Sequence, residues 1–129
     1  MDFDPKSIVI ALVDDDPPIL KLMARILESE GFIIHAFSNG EDGLDFILQN
    51  PASIDLLVTD IRMPGMSGNE LAFHVSQAIP GIRILFVTAY SSYSHENNHP
   101  NAEMKGHVLL KPFGPAELVQ NVKSILSPA

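Results

Sequence analysis

The chain of 129 residues contains no cysteine. It therefore has no disulfide framework, no thiolate nucleophile and no cysteine zinc site, and thiol redox roles are excluded. No apolar run approaches the roughly 20 residues that span a bilayer. Residues Met1 to Ser7 are polar and acidic, and the apolar stretch after them ends in aspartates, which is not the profile of a signal peptide. A cytoplasmic location without a membrane partner is expected. Basic charge is also scarce: 8 Lys and Arg stand against 16 Asp and Glu, for a formal charge of −8, and the basic residues are scattered. Direct nucleic-acid binding is not expected from such a chain, so any DNA-reading element would lie on another domain or protein. Linkers, low-complexity tracts and internal repeats beyond an alternation of strand-like and helix-like stretches are missing too.

With 46% hydrophobic and 19% charged residues, the composition is that of an ordinary globular domain. At this length folding hides roughly two thirds of the unfolded chain's surface, enough for one core. The expectation is a single domain over residues 1–129, with its core at about 7–127.

Apolar runs alternate with amphipathic stretches. Unbroken runs such as Ile8-Val9-Ile10-Ala11-Leu12-Val13, Leu56-Leu57-Val58 and Ile84-Leu85-Phe86-Val87 suit strands covered on both faces of a parallel sheet. Five β/α repeats are predicted. Asp16 reads as an N-cap with Pro17 at the first helical position, opening a helix whose Ile19, Leu20, Met23, Ile26 and Leu27 keep helical spacing until Gly31. A strand near Phe32 to Phe37 leads into a helix carrying Leu44, Phe46, Ile47 and Leu48, closed by Asn50-Pro51. Ser67 and Glu70 form a capping-box pattern for a third helix, with Leu71, Val75 and Ile79 on its apolar side and Ala72 and Ala78 flanking. The last helix is expected from Gly114-Pro115, burying Leu118, Val119, Val122, Ile125 and Leu126. The segment Tyr90 to Gly106 has almost no apolar periodicity and contains Pro100, so a fourth helix is expected to be short or irregular, a turn or two within Asn101 to Lys105.

The chemistry gathers where these runs stop. Asp14-Asp15-Asp16 follows the first run and Asp60 follows Leu56-Leu57-Val58-Thr59. If both are neighbouring parallel strands, their carboxyl ends open on one crevice, the place where open α/β sheets bind ligands. Carboxylates brought together there take up protons unless a cation joins them, and hard oxygen donors suit Mg²⁺ rather than zinc. Thr88 ends another run, and Lys111-Pro112-Phe113 ends Val108-Leu109-Leu110.

Asp14-Asp15, Asp60, Thr88 and Lys111 in that order, with the unbroken block Asp60-Ile61-Arg62-Met63-Pro64-Gly65-Met66-Ser67-Gly68, resemble the receiver domain of two-component response regulators over nearly the whole chain. The resemblance implies an α/β fold, a doubly wound (βα)5 parallel sheet with the flavodoxin-like strand order 2-1-3-4-5. It implies that Asp60 is a phosphoacceptor and that Asp15 and Asp60 bind Mg²⁺ through their side chains. Arg62 would add its backbone carbonyl, and Asp14 would act largely through a water. Lys111 would pair with Asp60 or a phosphoryl oxygen, Thr88 would donate its hydroxyl to another, and the Lys111-Pro112 peptide would be cis. The partners implied are a histidine kinase or histidine phosphotransfer protein and an output domain or protein that the sequence does not name. Homodimerisation through the last helix is open, although Val119 and Val122 serve equally as core.

The charge balance agrees with a cation. Three carboxylates against one ammonium leave about −2, which one divalent ion offsets. Magnesium suits the site better than calcium, because it bridges to phosphate from few carboxylates and keeps its waters. His35, His74, His95, His99 and His107 show no metal-ligand spacing and read as structural or solvent-facing.

Two other functions compete. A magnesium-dependent phosphatase with an aspartate nucleophile usually carries a second acid two residues later, where this chain has Arg62, and there is no room for a substrate-choosing cap. A receiver-like module that binds partners without being phosphorylated is the other. Receivers commonly place an aromatic switch residue three positions before the lysine, and that position is Val108 here, with Tyr90 near enough in sequence to Thr88 to occupy the space. Weakened or rerouted output is the expectation that follows.

Overall fold

The computed structural model describes residues 4–89 and 107–127. Its strands are β1 (Val9–Val13), β2 (Ile33–Phe37), β3 (Leu56–Thr59), β4 (Arg83–Thr88) and β5 (His107–Leu110), and its helices are α1 (Pro17–Ser29), α2 (Gly40–Gln49), α3 (Gly68–Ala78) and α4 (Pro115–Leu126). Short 3-10 turns precede β1 and β3. All pairings are parallel, in the order β2-β1-β3-β4-β5. This is the doubly wound architecture and strand order expected. The expectation of a short or irregular fourth helix falls on residues outside those described.

Strand alternation divides the core into two halves. Successive side chains of a strand point to opposite faces. Ile10 and Leu12 of β1 accordingly join Leu56, Val58, Leu85, Val87 and Leu109 beneath α1 and α4, where Met23, Leu27, Leu118 and Val122 meet them. Ala11 and Val13 join Leu57, Ile84 and Phe86 on the other face, against Ile47 of α2 and Leu71, Ala72 and Val75 of α3. A sheet covered on both faces needs apolar residues at every position of its inner strands, which is why β1 and β3 read as unbroken runs. β2 lies at the edge, and there Ile33 is exposed.

The helix boundaries follow their caps. Asp16 caps α1 by accepting the amide of Ile19, with Pro17 and Pro18 in the first turn, and Gly31 takes a positive φ of 102° just beyond the helix. Asn39 caps α2 through the amide of Asp42. Ser67 and Glu70 form both halves of the capping box of α3. In α4, Leu118, Val122, Ile125 and Leu126 are buried as the spacing predicts, while Val119 is half-buried. In α2, Ile47 is buried whereas its neighbour Leu48 is 50% exposed, because a helix over the sheet edge meets neighbours along a narrow stripe.

Candidate functional site

The crevice lies where the chain reverses its direction of winding. β1 and β3 are adjacent, but β1 feeds α1 on one face of the sheet and β3 feeds α3 on the other. Loops leaving in opposite directions open a gap at the carboxyl ends of these strands. Val13 pairs with Thr59 at the last rung, so Asp14 and Asp60 emerge side by side one residue later. The hydrogen-bond ladder continues into them: the Asp14 amide donates to Phe37 O at 3.1 Å, and the Asp60 amide to Val13 O at 3.0 Å.

Asp14 is fully buried, Thr88 is 1% exposed and Asp60 8%. Buried carboxylates require partners, and each has one on either oxygen. Asp14 Oδ1 accepts the Asp16 amide at 2.9 Å, and Asp60 Oδ1 accepts the Ile61 amide at 2.7 Å. Their Oδ2 atoms share a single ammonium: Lys111 Nζ lies 3.0 Å from Asp14 and 3.1 Å from Asp60. Lys111 reaches them from the far side of β4. Its own amide donates to Thr88 O at 2.9 Å, and its peptide bond to Pro112 is cis, as the resemblance implies.

Asp15 completes the group from the solvent side. One carboxylate oxygen from each of Asp14, Asp15 and Asp60 fits within 4.8 Å of the others. Donors of one hard type at that spacing fit a small divalent cation that retains waters. Beside them a cleft of about 230 Å³ is lined by Asp60, Arg62, Thr88 and Ala89. The structure thus brings Asp14, Asp15, Asp60 and Lys111 into one cluster and sets Thr88 and Arg62 on the adjoining cleft. Asp16 stays outside as a helix cap.

Burial pushes the Asp14 carboxyl above its ordinary value of 3.8, with the nearby Asp60 charge adding to the rise; the Asp16 amide and Lys111 oppose it without overcoming it. Lys111 behaves differently. Burial works to lower its pKa, but the hydrogen bonds and charges of Asp14 and Asp60 outweigh that and hold it above 10.5. The ammonium is therefore firmly charged, while Asp14 is a carboxylate that gains from a cation.

The loop after Asp60 is held close by contacts that sequence patterns do not reveal. The Gly68 amide donates to Ile61 O at 2.8 Å. A Cβ on Gly68 would overlap the Asp60 carbonyl oxygen and stand 2.9 Å from Ile61 Cα, so the start of α3 approaches Asp60 only because this residue has no side chain. Other polar residues of the sheet have simple structural roles. Asp55, at the opposite end of the sheet, accepts the Val9 amide at 2.8 Å, and the His35 ring stands 4.5 Å from that of Phe46. Among the described residues no histidine joins a metal-binding group. Val108 is half-buried and pairs with Phe86, filling the position that the resemblance assigns to an aromatic residue. Tyr90, His95 and His99 lie outside the described residues.

The comparisons with known proteins converge. A family model described as the response regulator receiver domain matches residues 10–123. The response regulator receiver protein CpdR of Brucella abortus is 32% identical over 117 residues, covering 91% of this chain and 95% of that protein. The sensor kinase CckA of the same organism is 30% identical over 120 residues, and the match covers 93% of this chain but 13% of CckA. The solved response regulator TrrA of Thermotoga maritima, in complex with Mg²⁺-BeF, superposes with a TM-score of 0.79 at 32% identity, covering 92% of this chain and 99% of that one.

Proposed function

Because this chain belongs to the response regulator receiver domain family, we propose that Asp60 accepts a phosphoryl group from a phosphohistidine, with Mg²⁺ held by Asp14, Asp15, Asp60 and the backbone carbonyl of Arg62. The observation that carries this reading is the single ammonium of Lys111 shared by two buried carboxylates at 3.0 and 3.1 Å. Members of this family are signalling domains rather than conventional enzymes, so the phosphorylated chain is the product that matters. We take residues 1–129 as one receiver domain, with its core at about 7–127.

In the transfer, an Asp60 carboxylate oxygen attacks phosphorus and the phosphorus–nitrogen bond to the histidine breaks, its electron pair leaving on the imidazole. Carboxylates are competent nucleophiles in such reactions. Charge spreads over the phosphoryl oxygens, so the protein's work is placement and electrostatics. Bound Mg²⁺ supplies positive charge to those oxygens. Lys111 exchanges its bond to Asp60 Oδ2 for one to a phosphoryl oxygen, and Thr88, on the same cleft as Asp60, donates its hydroxyl to another. Asp14 stays ionised beside the cation and keeps Lys111 in the crevice.

The proposed donor is a histidine kinase or a histidine phosphotransfer protein, acting in the cytoplasm. No helix among the described residues is long and apolar enough to cross a membrane. The response passes to an output domain or protein rather than to DNA directly. With Val108 where an aromatic switch is usual, that response is rerouted or weak. The same substitution favours the second reading, a module that engages partners without phosphorylation.

Incubation with acetyl phosphate and Mg²⁺, followed by intact mass, separates the two. One phosphoryl adduct, lost in Asp60→Asn and on chelation, is expected. Absence of an adduct when metal binding is verified would favour the unphosphorylated module.

A further inference from the structure

Glu41 lies on α2, 25 residues before the loop it touches. Its Oε2 accepts the backbone amide of Met66 at 3.1 Å. Gly65, immediately before, has φ of +75°, and a Cβ there would stand 2.9 Å from the same oxygen. The turn is therefore left-handed and bare at the point where the carboxylate reaches it. A second contact reinforces the first: α2 begins at Gly40, whose missing Cβ would lie 3.1 Å from Met66 Cβ. The start of α2 is sutured to the middle of the loop between Asp60 and α3.

Other contacts hold that loop near its ends. Ile61 is tied to Asp60 Oδ1 and, through its carbonyl, to Gly68, and the Ser67 amide donates to Glu70. Between these anchors run Arg62, Met63, Pro64 and Gly65, and Met63 is the buried one of the four. Arg62, whose carbonyl the proposed function gives to Mg²⁺, thus lies in a loop that Glu41 also grips from another helix. Glu41 also occupies the first turn of α2, where the helix dipole favours negative charge.

We propose that Glu41 is a positioning residue for the metal loop. It touches neither metal nor phosphoryl group; it fixes the Gly65-Met66 peptide and through it the direction of the Arg62 carbonyl. The metal part of this inference rests on the proposed function, whereas the loop part does not. Outer partners of metal ligands commonly change metal affinity by tenfold or more, and an exposed one such as Glu41 should act at the lower end, about three- to tenfold.

The test compares Glu41→Ala, Glu41→Gln and the charge control Asp45→Asn, which removes a carboxylate from the same helix. Exchange of the Met66 amide is measured by NMR without metal, and Mg²⁺ affinity by calorimetry. Expected are faster Met66 exchange and about three- to tenfold weaker Mg²⁺ binding in Glu41→Ala, with Glu41→Gln close to the parent because its amide oxygen still accepts the bond. Asp45→Asn should leave Met66 unaltered. Unchanged exchange and affinity in Glu41→Ala would overturn the proposal. So would equal losses of affinity in all three variants with Met66 still protected, since distant charge alone would then explain them. If the parent binds no Mg²⁺, the proposed function fails, and Met66 exchange by itself decides whether Glu41 holds the loop.

Discussion

Gly68 sits directly against the backbone of Asp60, close enough that a methyl group on it would overlap the Asp60 carbonyl oxygen. Backbone has little freedom to yield, so Gly68→Ala should displace the Asp60 loop or the first turn of α3. A loss of about 1–3 kcal/mol in stability is expected, as for other overpacked sites. Phosphoryl acceptance should fall further than stability does. Urea unfolding and the rate of adduct formation, measured on the same variant, check both.

Asp14→Asn separates the cost of the site from its use. Removing a buried charge that the fold disfavours, while Lys111 keeps Asp60 as a partner, should leave the metal-free protein at least as stable at neutral pH. Mg²⁺ binding should drop by an order of magnitude or more, about 1.4 kcal/mol for each tenfold step. Thermal unfolding with and without Mg²⁺ reads the two effects: the variant should lose most of the metal-induced rise in Tm.

The pH dependence follows from the direction of the Asp14 shift. Its folded-state pKa lies above 3.8, so the folded protein holds this proton more tightly than the unfolded chain. The stability it contributes is full below the unfolded value and fades as pH rises through the folded one. Mg²⁺ requires the ionised carboxylate, so affinity should decline on acidification at a pH above that of an ordinary aspartate. Calorimetric titrations at successive pH values should show the decline, and Asp14→Asn should flatten it.

Lys111→Met should leave Asp14 and Asp60 facing each other without their shared ammonium. Loss of a charged partner to buried groups costs about 1.5–3 kcal/mol, and added Mg²⁺ should restore part of it. Adduct formation should slow even when metal is saturating, because a donor to the phosphoryl oxygens is gone. Comparing the variant's Tm with and without metal against its adduct rate distinguishes the two roles.

In the core, Leu12→Ala should cost about 2–5 kcal/mol, whereas Leu48→Ala should fall within about 0.5 kcal/mol of the parent. Leu12 is fully buried and Leu48 half-exposed. Denaturant midpoints at constant slope are the measurement.

These two leucines also show what a sequence discloses. Ile10, Leu12, Val58 and Leu85 announce a sheet covered on both sides because nothing polar interrupts them, and Asp14, Asp60 and Lys111 stand out because they terminate such runs. Local caps were equally legible: Asp16 and Pro17, or Ser67 and Glu70, act within four residues. Leu48 was not, since its exposure depends on where α2 sits over the sheet rather than on its own helix. Glu41 and Gly68 were hidden for a related reason. Each acts through backbone that comes from a distant or looping part of the chain, and an exposed acid or a glycine looks the same in a sequence whether or not such backbone arrives.

The ladder bond from Asp14 to Phe37 ties the buried acid to the outer strand. Among the described residues β2 has β1 on one side and no strand on the other. The carbonyl that accepts the Asp14 amide thus belongs to Phe37, the last residue of the rim strand, so the most deeply buried charge of the crevice sits one peptide group from the open margin of the sheet.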